Sequence, residues 1–202
     1  MRAMADDILP FTTIADAPMT PDEVEMLLFA LERSRALFAW KTGGLDAAAL
    51  NKRHPPSTLT LGGLIKHLAL VEDSYMAMHV TAKIGPPWDS VDFDANPGWD
   101  WRTAADDSPE YLYELWQGSV QRSREAVAKA LADGGLDQPT RWTYDSGEKP
   151  NLRRVLVVLH DEYARHLGHA DLLREAIDGL VGEDPPQPMA VVGLSHDDKG
   201  RK

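Results

Sequence analysis

A polar seam in the C-terminal third of the chain constrains the fold more than any other feature. Over about residues 151–177 a set of side chains recurs at alternating intervals of four and three positions. This spacing places them on one face of an α-helix, the face that packs against neighbouring helices. The seam consists of Val155, Leu159, Glu162, His166, His169, Leu173 and Ala176. We therefore predict a long helix whose core-facing side carries one carboxylate and two imidazoles.

The same periodicity predicts three further helices. A cap at Thr20 followed by Pro21 marks the start of the first helix, and the second is expected over about residues 60–83. The third is expected to begin at the cap Ser108 and to end at Gly134. Residues 88–107, between the second and third helices, lack periodicity and predict a long crossover loop. The predicted fold is all-α: a four-helix bundle forming one domain over residues 1–182, with a weakly ordered tail over residues 183–202.

The polar residues of the seam indicate a metal site. A carboxylate inside a protein core is unfavourable unless it is paired, hydrogen-bonded or bound to a metal. Glu162 and His166 lie one helical turn apart, and His67 lies on the apolar stripe of the second helix. Two neutral imidazoles and one carboxylate form a known catalytic zinc set with an open position, and the same set suits nickel or non-haem iron. Spacing leaves open whether His169 replaces Glu162 as third ligand, assists a ligand or the substrate, or is structural.

Other polar and aromatic residues receive structural interpretations. Arg165, Asp171 and Arg174 are expected on the solvent-facing side of the seam helix, and His79 is expected at a helix edge. The three tryptophans between residues 88 and 107 are expected to anchor that segment or the core.

Charge and composition exclude several classes of partner. The formal net charge of −11 opposes binding to the phosphate backbone of nucleic acids. No apolar run approaches the roughly 18 residues of a membrane span, and the N-terminal segment lacks the apolar stretch of a secretory signal. We therefore expect a cytoplasmic protein that binds neither nucleic acid nor membrane. The chain has no cysteine, so any thiol chemistry needs a thiol from another molecule.

Two segments resemble a known superfamily. LGGLIKHLALVE, residues 61–72, and HDEYARHLGHADLLREAIDG, residues 160–179, look like the DinB-like superfamily, and the resemblance spans the bundle. The branch resembled was long filed as a domain of unknown function and is associated with mycothiol S-transferases. Its bundle is similar to the metal domain of mycothiol-dependent maleylpyruvate isomerase. The isomerase has an additional C-terminal domain without a counterpart here, so isomerase activity is not expected.

The resemblance also implies a ligand set. Most members of the superfamily use one histidine on the second helix and an H-x3-H pair on the fourth. This chain has Glu162 where the first histidine of the pair would stand, and the isomerase branch uses histidine, glutamate, histidine. The resemblance therefore implies that His67, Glu162 and His166 are the ligands. The implied metal is a divalent ion, commonly zinc, although nickel and other ions are also found.

These observations together give a functional hypothesis. We expect a metal-dependent transferase that adds a mycothiol-like, low-molecular-weight thiol to an electrophilic small molecule, as in detoxification. His169, as the catalytic residue, or a metal-bound hydroxide would accept the thiol proton. The alternatives are a metal-dependent hydrolase, an iron enzyme that uses oxygen, and a non-catalytic metal- or ligand-binding bundle, which could be a homodimer.

Overall fold

The computed structural model describes residues 14–182, which contain four long helices labelled α1 to α4. The helix α1 is Glu23–Thr42, α2 is Leu61–Glu72 continued by Asp73–Thr81, α3 is Pro109–Gly134, and α4 is Leu152–Asp178. The described residues contain no strand, so the predicted all-α class is confirmed. No helix among them is long and apolar enough to cross a bilayer. The predicted tail, residues 183–202, lies outside the described residues, as do residues 1–13 of the predicted domain.

Local sequence accounts for most helix starts. The side chains of Ser108 and Asn151 accept hydrogen bonds from the third amide of α3 and of α4, as helix caps do. The cap of α1 is Asp22 and not Thr20 as predicted. The Asp22 carboxylate accepts from the amide of Glu25, and the Glu25 carboxylate accepts from the amide of Asp22. This reciprocal pair, a capping box, satisfies two backbone donors at the start of α1.

The helix α2 changes form partway along its length. Leu61–Glu72 is α-helical, whereas Asp73–Thr81 is a π-helix, in which hydrogen bonds connect residues five apart. The wider turn changes which side chains face the core, so that Met76 and His79 are buried. His79 is therefore a core residue, and its predicted position at a helix edge is wrong.

A buried ion pair connects the helices. Arg35 of α1 donates from Nε and Nη2 to the two carboxylate oxygens of Glu72 on α2, each at 2.7 Å. Tyr163 of α4 donates its hydroxyl to Glu72 at 2.8 Å, and Arg35 also donates to Ser123 of α3 at 3.0 Å. Burial raises the pKa of Tyr163 well above its ordinary value, so its hydroxyl stays a neutral donor. We call these four residues the interhelical cluster, because every long helix contributes one member.

Residues 88–107, the crossover segment, are more ordered than the predicted loop. Short helical turns occupy Trp88–Ser90, Trp99–Thr103 and Ala104–Asp106. Two buried charged groups of α2 hold the segment. Lys66 Nζ donates to Thr103 Oγ1 at 2.8 Å and to Asp107 Oδ2 at 2.5 Å. The Asp73 carboxylate accepts from the indole N–H of Trp88 at 2.8 Å. The segment is therefore fixed to α2 near both of its ends.

One charged residue of α4 is buried where exposure was predicted. Arg174 is buried, and its Nη1 donates to the carbonyls of Lys41 at 3.2 Å and Gly43 at 2.7 Å. These carbonyls lie at the C-terminal end of α1, where backbone acceptors lack partners within the helix. The predicted exposure of Arg174 is therefore wrong, whereas Arg165 and Asp171 are exposed as predicted.

Candidate metal centre

The structure brings His67 of α2 together with Glu162 and His166 of α4. One ligand atom of each side chain, a ring nitrogen or a carboxylate oxygen, lies within 4.8 Å of those of the other two. His166 Nε2 lies 3.5 Å from Glu162 Oε2, and the ring centroids of His67 and His166 are 4.9 Å apart. Two donors that each bind one zinc ion at about 2.1 Å in tetrahedral geometry are roughly 3.4 Å apart. Small side-chain movements would therefore let all three share one ion.

The three side chains lie at different depths. His166 is 8% exposed, His67 19% and Glu162 26%. The group thus begins in the bundle interior and reaches its surface at Glu162. A catalytic metal site has one coordination position open to water or substrate, and Glu162 is the most exposed of the three side chains.

In both His67 and His166, the Nδ1 nitrogen of the ring has a hydrogen-bond partner. His67 Nδ1 lies 2.7 Å from Asp100 Oδ2, and because an ionised carboxylate only accepts, the ring carries its hydrogen on Nδ1. His166 Nδ1 lies 3.2 Å from His169 Nδ1, and its Nε2 faces Glu162. A metal-binding imidazole uses one lone pair and ordinarily donates its other N–H to a partner. Both rings can meet this requirement, so the residues present fit a divalent ion.

The electrostatic surroundings favour a neutral His166. Burial, followed by the neighbouring His67, His169 and Arg165, lowers the pKa of His166 to about 4. The ring is therefore uncharged near pH 7, which is the form that binds metals. Few protons would compete with an ion for this nitrogen.

Two residues of the site were not predicted from the sequence, and both belong to the crossover segment. Asp100 is 4% exposed and bonds to His67. The Trp101 ring stacks on the His67 ring, with a centroid distance of 4.3 Å and an angle of 24° between the planes. The Trp101 ring also lies near His166, with a centroid distance of 5.6 Å. The segment lacks the periodicity that shows which side chains face a core. An acidic residue between two tryptophans was the available signal.

His169, expected to be catalytic, lies beside His166 and outside the group of three. If His166 binds an ion through Nε2, its Nδ1–H donates to His169 Nδ1, and the hydrogen of a neutral His169 is then on Nε2. A protonated Nε2 cannot accept a proton from a thiol. The geometry therefore favours the alternative in which His169 positions a ligand, and its catalytic role stays a prediction.

Comparison with known families supports a relationship over most of the chain. A family model described as mycothiol-S-transferase matches residues 26–179. The matched range contains the three candidate ligands and the whole crossover segment. No curated protein matches the chain.

Proposed function

Since the chain belongs to the mycothiol S-transferase family, within the DinB-like superfamily, we propose that it is a metal-dependent transferase that adds a mycothiol-like thiol to an electrophilic small molecule. The observation that carries the proposal is the convergence of His67, Glu162 and His166. Two imidazoles and one carboxylate beside an open position are typical of catalytic zinc, so zinc is the proposed ion. Nickel and iron are the alternatives that the same donors accept.

The chemistry of the transfer can be assigned to the site. A divalent metal bound there would lower the pKa of a thiol so that it reacts as a thiolate near neutral pH. The sulfur forms a bond to the electrophilic carbon, the bond from that carbon to its leaving group breaks, and the thiol proton passes to solvent. His67 and His166 supply neutral donor nitrogens, while Glu162 borders the exposed side from which both cosubstrates arrive. The chain has no cysteine, so the cosubstrate supplies the only thiol in this scheme.

The proposed setting is the cytoplasm, where low-molecular-weight thiols are kept reduced. Conjugation consumes the reactive carbon of an electrophile, which then no longer attacks other cellular nucleophiles. The proposed role is therefore detoxification.

Metal analysis tests the ligand set. Elemental analysis of the wild-type protein should find about one divalent ion per chain, as expected for one three-residue site. The variants His67→Ala and Glu162→Ala should lose it. His160→Ala is the matched control, because it removes a half-buried histidine of α4 that is not part of the group, and it should keep the ion. If Glu162→Ala kept its metal while His169→Ala lost it, His169 and not Glu162 would be the third ligand.

An activity assay tests the reaction. Metal-loaded wild type and His160→Ala should conjugate mycothiol, or another small thiol, to a bromobimane or an epoxide. His67→Ala should be slower by about 100-fold or more, because loss of even an outer partner of a ligand lowers activity 10–100-fold. Metal-saturated wild type that is inactive with every small thiol would overturn the transferase proposal. Hydrolysis of an ester or amide by that protein would instead support the hydrolase, and binding without turnover would support the non-catalytic bundle.

A further inference from the structure

Asp100 contacts the candidate metal centre from outside the four long helices of the bundle. It lies in the short helical turn Trp99–Thr103 of the crossover segment, 33 residues after His67 in the chain. Its carboxylate is buried, which is unfavourable without compensation, and Oδ2 contacts His67 Nδ1 at 2.7 Å. A hydrogen bond to a charged group at this distance is among the stronger ones in proteins.

This contact determines which nitrogen of His67 is available. A free neutral imidazole can carry its hydrogen on either nitrogen, and only the other nitrogen has a lone pair for a metal. The Asp100 carboxylate holds the hydrogen on Nδ1, so Nε2 keeps the lone pair. Such a carboxylate also increases the electron-donating strength of the ring.

The next residue limits the orientation of the same ring. Trp101 stacks on one face of His67 at 4.3 Å, while Asp100 acts within the plane of the ring through Nδ1. The absence of a side chain at Gly63 allows this approach, because a Cβ there would lie 3.1 Å from Trp101 Cε3. The ring is therefore held from two directions by consecutive residues.

The crossover segment is anchored independently of His67. Lys66 pairs with Asp107 at 2.5 Å, and its ammonium lies 4.3 Å from the centroid of the Trp99 ring. At the other end of the segment, the indole of Trp88 donates to Asp73. These contacts lie on both sides of Asp100 in the sequence, so contacts other than the one with His67 hold the segment on α2.

From these observations we propose that Asp100 is a positioning residue of the metal centre, which fixes the tautomer and orientation of His67 and thereby raises the affinity for the ion. The crossover segment is then part of the site, although it supplies no ligand. The inference rests on the proposed metal centre and is independent of which reaction that centre carries out.

Metal affinity is the first test. Zinc binding by the metal-free protein is measured by competition with a chromophoric chelator. Asp100→Asn should weaken binding by about 10–100-fold, the range found when the outer partner of a metal-binding histidine is removed. Asp106→Asn is the matched control, because Asp106 is an exposed acid of the same segment and its replacement leaves both the His67 contact and the Lys66 anchor intact. It should change the affinity by less than about threefold, since partners that do not touch a ligand lack this effect.

The tautomer of His67 is the second test, and a general structural role of Asp100 would not change it. Two-bond proton–nitrogen NMR correlations are recorded on metal-free protein above the ordinary imidazole pKa, with His67→Gln identifying the signals. Wild type and Asp106→Asn should show the hydrogen on Nδ1, and Asp100→Asn should show a shift toward Nε2 or a mixture. The wild-type spectrum is informative even if the Asp100 variant does not fold.

The outcomes separate this inference from the proposed function. A wild-type His67 with its hydrogen on Nε2 would overturn the inference, as would an Asp100→Asn variant with unchanged affinity and tautomer. Wild type that binds zinc tightly but conjugates no thiol would refute the transferase alone and leave the Asp100 comparison valid. Wild type that binds no divalent ion would overturn both.

Discussion

Glu72→Gln would remove the charge of the interhelical cluster with little change in shape. Glu72 is 0% exposed and Arg35 2%, so the guanidinium would stay in the core without the carboxylate that accepts two of its hydrogen bonds. Its other acidic partner, Glu32, is 40% exposed and compensates only in part. Loss of one partner of a buried ion pair costs about 3–5 kcal/mol, whereas an exposed pair contributes about 0–1 kcal/mol. Because Glu32 remains, we expect a loss of about 3 kcal/mol, at the lower end of the buried range.

The loss can be measured by urea unfolding of metal-free protein, followed by far-UV circular dichroism. With a slope of about 2 kcal/mol per molar urea, 3 kcal/mol lowers the midpoint by roughly 1.5 M. Glu23→Gln is the matched control, because Glu23 is 57% exposed and pairs with Arg153 at the surface. Its midpoint should change by less than about 0.5 M. Equal losses in the two variants would refute the argument from burial.

A double variant separates the ion pair from simple loss of volume. Replacing a buried ion pair by apolar residues is often neutral or stabilising, because neither charge is then left in the core. Arg35→Met combined with Glu72→Leu should therefore be more stable than either single variant. If the free energies of the two single changes simply add, the two residues do not interact and the reasoning is wrong.

Two further predictions concern packing and pH. Gly63→Ala places a methyl group 3.1 Å from the Trp101 ring, so it should lower the thermal midpoint and alter the near-UV circular dichroism. Gly62→Ala is the control, because the nearest neighbours of its new methyl group lie at 3.4 Å. It should stabilise the protein by up to about 1 kcal/mol through the higher helix propensity of alanine. Equal effects of both would contradict the packing argument. Burial, and then the charge of Arg154, lowers the pKa of His79 in the folded protein. The imidazole therefore binds a proton more readily in the unfolded chain. The free energy of unfolding should consequently fall as the pH drops below about 6.5, the ordinary pKa of histidine. Urea titrations at several pH values should show a flatter dependence for His79→Gln, and an unchanged dependence would be evidence against this assignment.

The sequence predicted the features that depend on local chemistry. Ser108 caps α3 as predicted, because its side-chain oxygen reaches an amide only three residues ahead and the interaction depends on one short stretch of sequence. His67, Glu162 and His166 could be assigned to core-facing stripes because they lie on regular α-helices, where spacing determines the face. The structure brings these three together, and metal binding by them stays a proposal.

Features that depend on distant contacts could not be predicted in this way. The π-helical turn after Glu72 shifts the buried face, so uniform helical spacing no longer identified His79 as a core residue. Arg174 is buried because the carbonyls at the end of α1 accept from it, and no pattern within α4 shows that partner. Asp100 reaches His67 only after the crossover segment has docked on α2, and residues without periodicity give no sign of which face they present.

The contact between Asp100 and His67 also links retention of an ion to the local stability of the crossover segment. On the proposed function, opening of this segment releases the ring that holds the ion. The open state lacks the Asp100 contact and should bind the ion about 10–100-fold more weakly, so a saturating ion favours the closed state by about the same factor. Amide protons of the segment should therefore exchange with solvent about 10–100-fold more slowly in the loaded protein, because local opening precedes exchange. The residence time of the ion would then report how often the connection between α2 and α3 detaches from the bundle.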